Sequence, residues 1–110
     1  MNSKMLTIVL TLATGIIHLY LGISYMQFGG SQPPLFILNG IGYLSLLAGL
    51  YFIPQLAAQR GLIRYALMGF AAVTIVAYFI VNGEPFNSVL GLVTKAIELA
   101  LIVVLWMGKE

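Results

Sequence analysis

Four long apolar segments restrict the fold of this chain more than any other feature of its sequence. Each is about 20 residues long, the length that an α-helix needs to cross the hydrocarbon core of a bilayer. We predict helices over residues 5–26, 34–53, 62–81 and 85–107, which makes residues 1–110 a single transmembrane domain. The connections are short, so the chain has no room for a soluble domain.

Composition supports a membrane protein. Of the 110 residues, 61% are hydrophobic and 7% are charged, whereas about a quarter are charged in an ordinary soluble domain. The net charge is +2, and no run of Lys and Arg with interleaved aromatic residues is present, so nucleic acid is not expected as a partner. The chain has no cysteine, which excludes disulfides, thiolate metal sites and thiol nucleophiles.

Glycine and proline mark the ends of the apolar segments, as they do at helix termini. The predicted boundary signals are Gly29-Gly30, Pro33-Pro34, Pro54, Arg60-Gly61, Asn82-Gly83 and Glu84-Pro85. The first apolar run is longer than the hydrophobic region of a signal peptide, so we interpret it as a retained helix. These signals predict an all-α, up-and-down bundle of four transmembrane helices.

The distribution of Lys and Arg predicts the orientation in the membrane. One side of the predicted bundle carries the basic residues Lys4, Arg60, Arg64 and Lys109. The two loops at the opposite side contain no Lys or Arg and only one acidic residue, Glu84. Because cytoplasmic loops carry an excess of Lys and Arg, we expect the chain to lie in the cell membrane with both termini cytoplasmic.

Three helices carry stripes of small and polar residues at spacings of three and four. In membrane helices such stripes usually face neighbouring helices, because they allow close backbone approach and interhelical hydrogen bonds. On the first helix the stripe is Thr7, Thr11, Thr14, His18, Gly22 and Tyr25; on the second it is Asn39, Gly42, Tyr43, Leu46 and Gly49; on the fourth it is Ser88, Gly91, Lys95 and Glu98. The third helix has no clean stripe, although Thr74 and Tyr78 share one side.

Several of these polar residues lie at similar depths. At a rise of about 1.5 Å per residue, four of them lie roughly 11–15 Å from the outer ends of their helices: His18, Tyr43, Thr74 and Lys95. Glu98 lies about 20 Å from the outer end of the fourth helix. All four helices therefore contribute to one layer near the middle of the membrane. The candidate intramembrane polar network is His18, Asn39, Tyr43, Thr74, Lys95 and Glu98.

Lys95 and Glu98 are one turn apart, close enough to form an ion pair on one helix. The pair has three interpretations: it stabilises helix packing, it forms part of a proton or ion relay, or one side chain pairs with another subunit. His18 is the only histidine. It either makes a hydrogen bond in the packed interior, transfers a proton, or is the axial ligand of a haem or chlorophyll.

The sequence does not predict a catalytic centre or a metal site. His18 and Glu98 are the only plausible intramembrane metal ligands, and catalytic zinc usually takes three protein ligands. Our first hypothesis is therefore an accessory or structural subunit of a larger membrane complex, or a homo-oligomer, with the lipid bilayer, other membrane subunits or copies of itself as partners. The alternative is a small proton- or ion-coupled transporter or channel that uses Glu98 with His18. The third is a haem- or pigment-binding subunit that uses His18.

Overall fold

Four helices form most of the protein in the computed structural model, which describes residues 2–29, 32–81 and 89–108. They are α1 (Ser3–Tyr25), α2 (Gln32–Leu47), α3 (Arg60–Val81) and α4 (Val89–Met107). The described residues include no strand. The prediction of an all-helical fold with four long helices is therefore confirmed.

Local signals account for both ends of α1. The side chain of Asn2 accepts a hydrogen bond from the backbone N–H of Met5 (2.8 Å) and so caps the first turn. At the other end a short 3₁₀ turn over Met26–Phe28 leads to Gly29. The φ of Gly29 is 72°, in the left-handed region that favours glycine. The helix thus ends where the sequence predicted, within one residue.

The connection between α2 and α3 is more helical than predicted. The α-helical hydrogen bonding of α2 stops at Leu47, and a π-helical segment continues over Ala48–Phe52. Ile53 is extended (φ −119°, ψ 99°), as expected for a residue before proline. A 3₁₀ segment, Pro54–Gln59, then leads directly into α3, so residues 54–59 are helical rather than a loop.

Two side-chain and backbone features explain this continuous connection. Pro54 has no N–H to leave unsatisfied, so it suits the first turn of a new helix. The Nε of Arg60 donates a hydrogen bond to the carbonyl of Leu50 (2.8 Å). This bond satisfies a carbonyl in the π-helical segment that follows α2. The predicted start of the fourth helix at residue 85, with Asn82-Gly83, Glu84-Pro85 and Ser88, lies outside the described residues, as do Gly30 and Lys109.

Each helix packs antiparallel to the next. Gly40 on α2 lies against Gly15 on α1, and a Cβ at position 40 would be 2.7 Å from the Gly15 carbonyl oxygen. Gly49 near the end of α2 lies beside Ile63 near the start of α3. Arg64, also near the start of α3, contacts the end of α4. The C-terminal end of α4 meets the N-terminal end of α1, where Gly108 lies against Ser3.

The bundle has a leucine-rich core at one end and an apolar outer surface. The buried core consists of Tyr43, Leu50, Leu67, Ala71, Leu101 and Leu105. Large apolar side chains such as Ile16, Leu62 and Ile80 point outward. Four segments, Ser3–Tyr25, Pro33–Phe52, Pro54–Ile80 and Val89–Met107, are long and apolar enough to cross a membrane.

Candidate functional site

The carboxylate of Glu98 lies inside the bundle, with no exposed surface. On α4, Glu98 shares its face with Thr94, Lys95, Leu101 and Leu105, which are also buried. Their spacing of three and four residues places them on one side of the helix. A buried carboxylate is costly unless it is paired and hydrogen-bonded, and Glu98 obtains its partners from three helices.

One carboxylate oxygen faces a lysine. The Nζ of Lys95 lies 2.5 Å from Oε1 of Glu98, and both side chains are buried. The same Nζ lies 5.1 Å from the centre of the Tyr78 ring on α3, in a cation–π contact. The cation of Lys95 is therefore held between its own helix and α3, within the interior of this chain.

The other carboxylate oxygen accepts two hydrogen bonds. The Tyr43 hydroxyl on α2 donates to Oε2 of Glu98 at 2.7 Å, and the Thr14 hydroxyl on α1 donates at 3.0 Å. Bonds to an ionised acceptor are stronger than neutral ones. The Tyr43 ring is held in turn by Phe70, which packs edge-on with 4.8 Å between ring centres. Together these contacts orient the carboxylate toward α1 and α2.

The contacts of His18 determine which of its nitrogens carries a proton. Nδ1 lies 2.7 Å from the backbone carbonyl of Thr14. A carbonyl only accepts hydrogen bonds, so Nδ1 is the donor, and Nε2 of the neutral ring is an acceptor. Nε2 lies 3.9 Å from Oε2 of Glu98, too far for a direct hydrogen bond. Two acceptors thus face each other in a buried site.

Asn39 and Thr74 lie at the edge of this network. Nδ2 of Asn39 donates to the Thr74 hydroxyl at 2.8 Å, and that hydroxyl donates to the carbonyl of Phe70 at 2.8 Å. The structure therefore brings His18, Tyr43 and Lys95 around the Glu98 carboxylate. Asn39 and Thr74 lie beside this group and are joined to it through Phe70, whose ring packs against Tyr43.

Two buried polar residues, Thr14 and Arg64, were not among the predicted members of the polar network. Thr14 was on the α1 stripe, one turn before His18, and that spacing was the available signal. Arg64 entered only as a charge that predicts orientation. In the structure it is buried and donates to the carbonyl of Leu105 (3.0 Å) and to that of Gly108. These carbonyls lie at the end of α4, where no later N–H of the helix is available to bond to them. No sequence signal pairs Arg64 with α4.

A haem or chlorophyll at His18 would require rearrangement of this site. Nε2 is the ring nitrogen that remains for axial ligation, and it faces Glu98. The rings of Phe36 and Tyr43 flank His18, with centre-to-centre distances of 6.1 and 5.9 Å. Among the described residues, no three His, Cys, Asp or Glu side chains group as metal ligands.

The chain matches a family described as "Family of unknown function (DUF7475)" over residues 2–107. It belongs to this family. The match includes all four helices and every residue that surrounds Glu98. No curated protein and no solved structure matches the chain. The family description carries no activity, so the function is argued from the geometry of the site.

Proposed function

We propose that this protein is a small multi-pass membrane protein in which His18 and Glu98 take up and release a proton, as part of proton-coupled transport or proton conduction. The observation that carries the proposal is the 3.9 Å approach of two buried acceptors, Nε2 of His18 and Oε2 of Glu98. A single proton placed between them converts an acceptor–acceptor contact into a hydrogen bond. Ionisable groups inside membranes are rare and frequently belong to proton pathways.

Uptake of a proton changes the net charge of the site. With Lys95 protonated, Glu98 ionised and His18 neutral, the three groups sum to zero; one further proton makes the sum +1. A proton-mediated bond draws Nε2 and Oε2 together by about 1 Å, from 3.9 Å to ordinary hydrogen-bond distance. Since His18 is on α1 and Glu98 on α4, this bond adds a link between the two helices that depends on the proton. A proton-dependent link between helices is what a proton-driven carrier requires.

The proposed setting is a single transmembrane unit in the cell membrane, with both termini cytoplasmic. Four apolar helices support the membrane location. Lys4, Arg60 and Arg64 lie at one end of the bundle, which we call the basic end, and the positive-inside rule directs that end to the cytoplasm. Reporter fusions at each terminus test the orientation. Activity of a periplasmic or extracellular reporter at either terminus contradicts it.

Proton flux in reconstituted liposomes tests the function. The purified protein is placed in vesicles that contain a pH-sensitive dye, and a potassium diffusion potential drives proton entry. We expect flux with the natural chain and loss of flux with Glu98→Gln, which keeps the side-chain shape but cannot ionise. Thr94→Val is the matched control, because the Thr94 hydroxyl bonds to the carbonyl of Leu90 on its own helix (2.7 Å). Unchanged flux in Glu98→Gln contradicts the role of Glu98, and absence of flux in the natural chain contradicts the function.

A double variant distinguishes loss of proton transfer from loss of folding. Glu98→Gln alone leaves Lys95 without its carboxylate, so the variant can lose flux because it unfolds. Lys95→Gln with Glu98→Gln removes both charges and retains polar side chains of similar size. We expect this double variant to fold in detergent, as measured by circular dichroism and size-exclusion chromatography, and to conduct no protons. A folded double variant that retains flux overturns the proposal.

A second proposal is that the protein is an accessory or structural subunit, or a homo-oligomer, in which the pair of Lys95 and Glu98 specifies helix packing. The specific observation in its favour is that one carboxylate links α1, α2 and α4, while Lys95 adds α3 through Tyr78. Buried polar groups can specify a unique packing. This proposal predicts co-purification of defined membrane subunits, or a homo-oligomer, in mild detergent. A stable monomer without partners contradicts it.

The third proposal, a haem- or pigment-binding subunit, rests on His18 alone. It requires the His18 ring to turn away from Glu98 so that Nε2 meets the ligand. Extraction in mild detergent followed by an absorption spectrum tests it. A Soret or chlorophyll band that disappears in His18→Gln supports the proposal, and a colourless native complex contradicts it.

A further inference from the structure

The five threonines of this chain differ in how their hydroxyls are satisfied. Three bond to the backbone carbonyl four residues earlier: Thr7 to Ser3, Thr74 to Phe70 and Thr94 to Leu90, at 2.7–2.8 Å. Thr14 donates to Glu98 instead. Thr11 is fully buried, and its hydroxyl has no hydrogen-bond partner among the residues that the structure describes.

Thr11 lies on a line of buried polar groups that leads to the carboxylate. Thr7, Thr11 and Thr14 are each at most 1% exposed. Thr7 and Thr11 are separated by about 6 Å along the helix axis, and Thr11 and Thr14 by about 4.5 Å. The line begins beside Ser3, which lies against Gly108 at the basic end, and it ends at the hydroxyl that bonds to Glu98. We call Thr7, Thr11 and Thr14 the hydroxyl line.

An unpartnered hydroxyl in such a line indicates a ligand with hydrogen-bonding capacity. Water is the simplest such ligand, because one molecule with two hydrogen bonds of about 2.8 Å each joins oxygens separated by about 4.5–5.5 Å. Buried water is found where polar groups lack protein partners. The Thr7 hydroxyl donates to the carbonyl of Ser3, so it must turn from that carbonyl and donate to such a water before it passes a proton inward.

We propose that the hydroxyl line, hydrated at Thr11, is the path by which protons reach Glu98 from the basic end of the bundle. The inference deepens the proposed function and rests on it. At each transfer the O–H bond of one water or hydroxyl breaks as an O–H bond forms on the next oxygen. One proton enters at the basic end, and one proton arrives at the pair of His18 and Glu98. The site is then loaded from one side of the membrane.

Thr11→Val is the decisive variant, since valine has nearly the same shape and no hydroxyl. We expect proton flux in liposomes to fall about tenfold, the effect of losing one hydrogen-bonded step. Folding should be unimpaired, because the hydroxyl that is removed bonds to none of the described residues. Thr11→Ser keeps the hydroxyl and should retain flux. Thr94→Val, which removes the hydroxyl of another buried threonine away from the hydroxyl line, should also retain flux.

The outcomes distinguish the path from the function. If Glu98→Gln abolishes flux and Thr11→Val does not reduce it, the path is wrong and the proposed function stands. If the natural chain shows no flux, the proposed function is wrong. The path is then tested separately, by measuring whether an aqueous ion reaches position 11.

Because the chain contains no cysteine, each cysteine introduced is the only thiol. Thr11→Cys is compared with Leu12→Cys and Val9→Cys, whose side chains point outward toward the proposed lipid. The probe is Ag⁺, a compact aqueous ion that binds thiolates, and the readout is the fraction of thiol that still reacts with maleimide after unfolding. We expect Ag⁺ to protect position 11 faster than positions 9 and 12, and faster when it is added at the basic end. Equal rates at all three positions, or faster access from the opposite end, overturn the inference.

Discussion

The hydroxyl of Tyr43 on α2 donates a 2.7 Å hydrogen bond to Oε2 of Glu98 on α4. The two residues are separated by 55 positions in the sequence, and both are fully buried. This bond connects the two helices through the same oxygen that faces Nε2 of His18. It therefore contributes to packing and to the orientation of the proposed proton site.

Tyr43→Phe removes this hydrogen bond and leaves the aromatic ring in place. We expect the free energy of unfolding to fall by about 1.5–3 kcal/mol, the usual contribution of a hydrogen bond to a charged group. Unfolding with increasing SDS in mixed micelles measures the change. Tyr20→Phe is the control, since the Tyr20 side chain is exposed. Equal stability of the two variants contradicts a strong bond between Tyr43 and Glu98.

Lys95→Met leaves the Glu98 carboxylate buried without its cation, which lies 2.5 Å away in the natural chain. We expect a loss of about 3–5 kcal/mol of stability, because an uncompensated buried charge is strongly unfavourable. Lys95→Met combined with Glu98→Gln should recover much of that loss. A double-mutant cycle over the natural chain, both single variants and the double variant gives the coupling energy. Additive losses mean that the two groups do not interact.

Gly40 and Gly69 provide a matched test of the close contact between α1 and α2. A Cβ at position 40 would lie 2.7 Å from both the Gly15 carbonyl oxygen and Cγ of Leu19, whereas a Cβ at position 69 meets nothing within 4 Å. Gly40→Ala should destabilise the bundle by about 1–3 kcal/mol through overpacking. Gly69→Ala should stabilise it by about 0.5–1 kcal/mol, because alanine favours the helix. Unfolding measurements that reverse this order contradict the packing.

Arg64→Met should fray the end of α4, since the guanidinium bonds to the carbonyls of Leu105 and Gly108. We expect amide hydrogen exchange at Gly108, whose N–H bonds to the carbonyl of Val104, to accelerate about tenfold, as for a loss of ~1.4 kcal/mol. Exchange at Thr94, four turns earlier, should not change. Exchange measured in detergent by mass spectrometry checks both sites. Unaltered exchange at Gly108 means that Arg64 does not stabilise this terminus.

Helix ends were predictable where the signal is local. Gly29 was a predicted boundary signal and lies within about one turn of the end of α1, whereas Asn2, which caps the start of α1, was not predicted. The helical connection over Pro54–Gln59 was not predicted, because it depends partly on the Arg60 side chain reaching the carbonyl of Leu50, ten residues away. The position of each polar group along its own helix also follows from the sequence, because helical rise converts residue number into distance along the axis.

The neighbours of each polar group were less predictable. The sequence placed Thr14 on the interior stripe of α1 but did not pair it with Glu98, which is 84 residues away. Arg64 was used only to predict the orientation, and it is buried against the end of α4. In both cases the partner lies on another helix, and no local pattern specifies the rotation of one helix relative to another.

The sequence by itself determined that the chain forms four apolar helices and that ionisable groups lie within them. Hydrophobic length and helical periodicity are local properties, and both are present in each segment alone. Only the tertiary structure decided that Lys95 and Glu98 point inward and that Nε2 of His18 faces the carboxylate. The physical reason is steric. Close contacts such as Gly40 with Gly15, and Gly42 with Phe70, set the rotation of each helix about its axis, and that rotation selects which polar atoms meet.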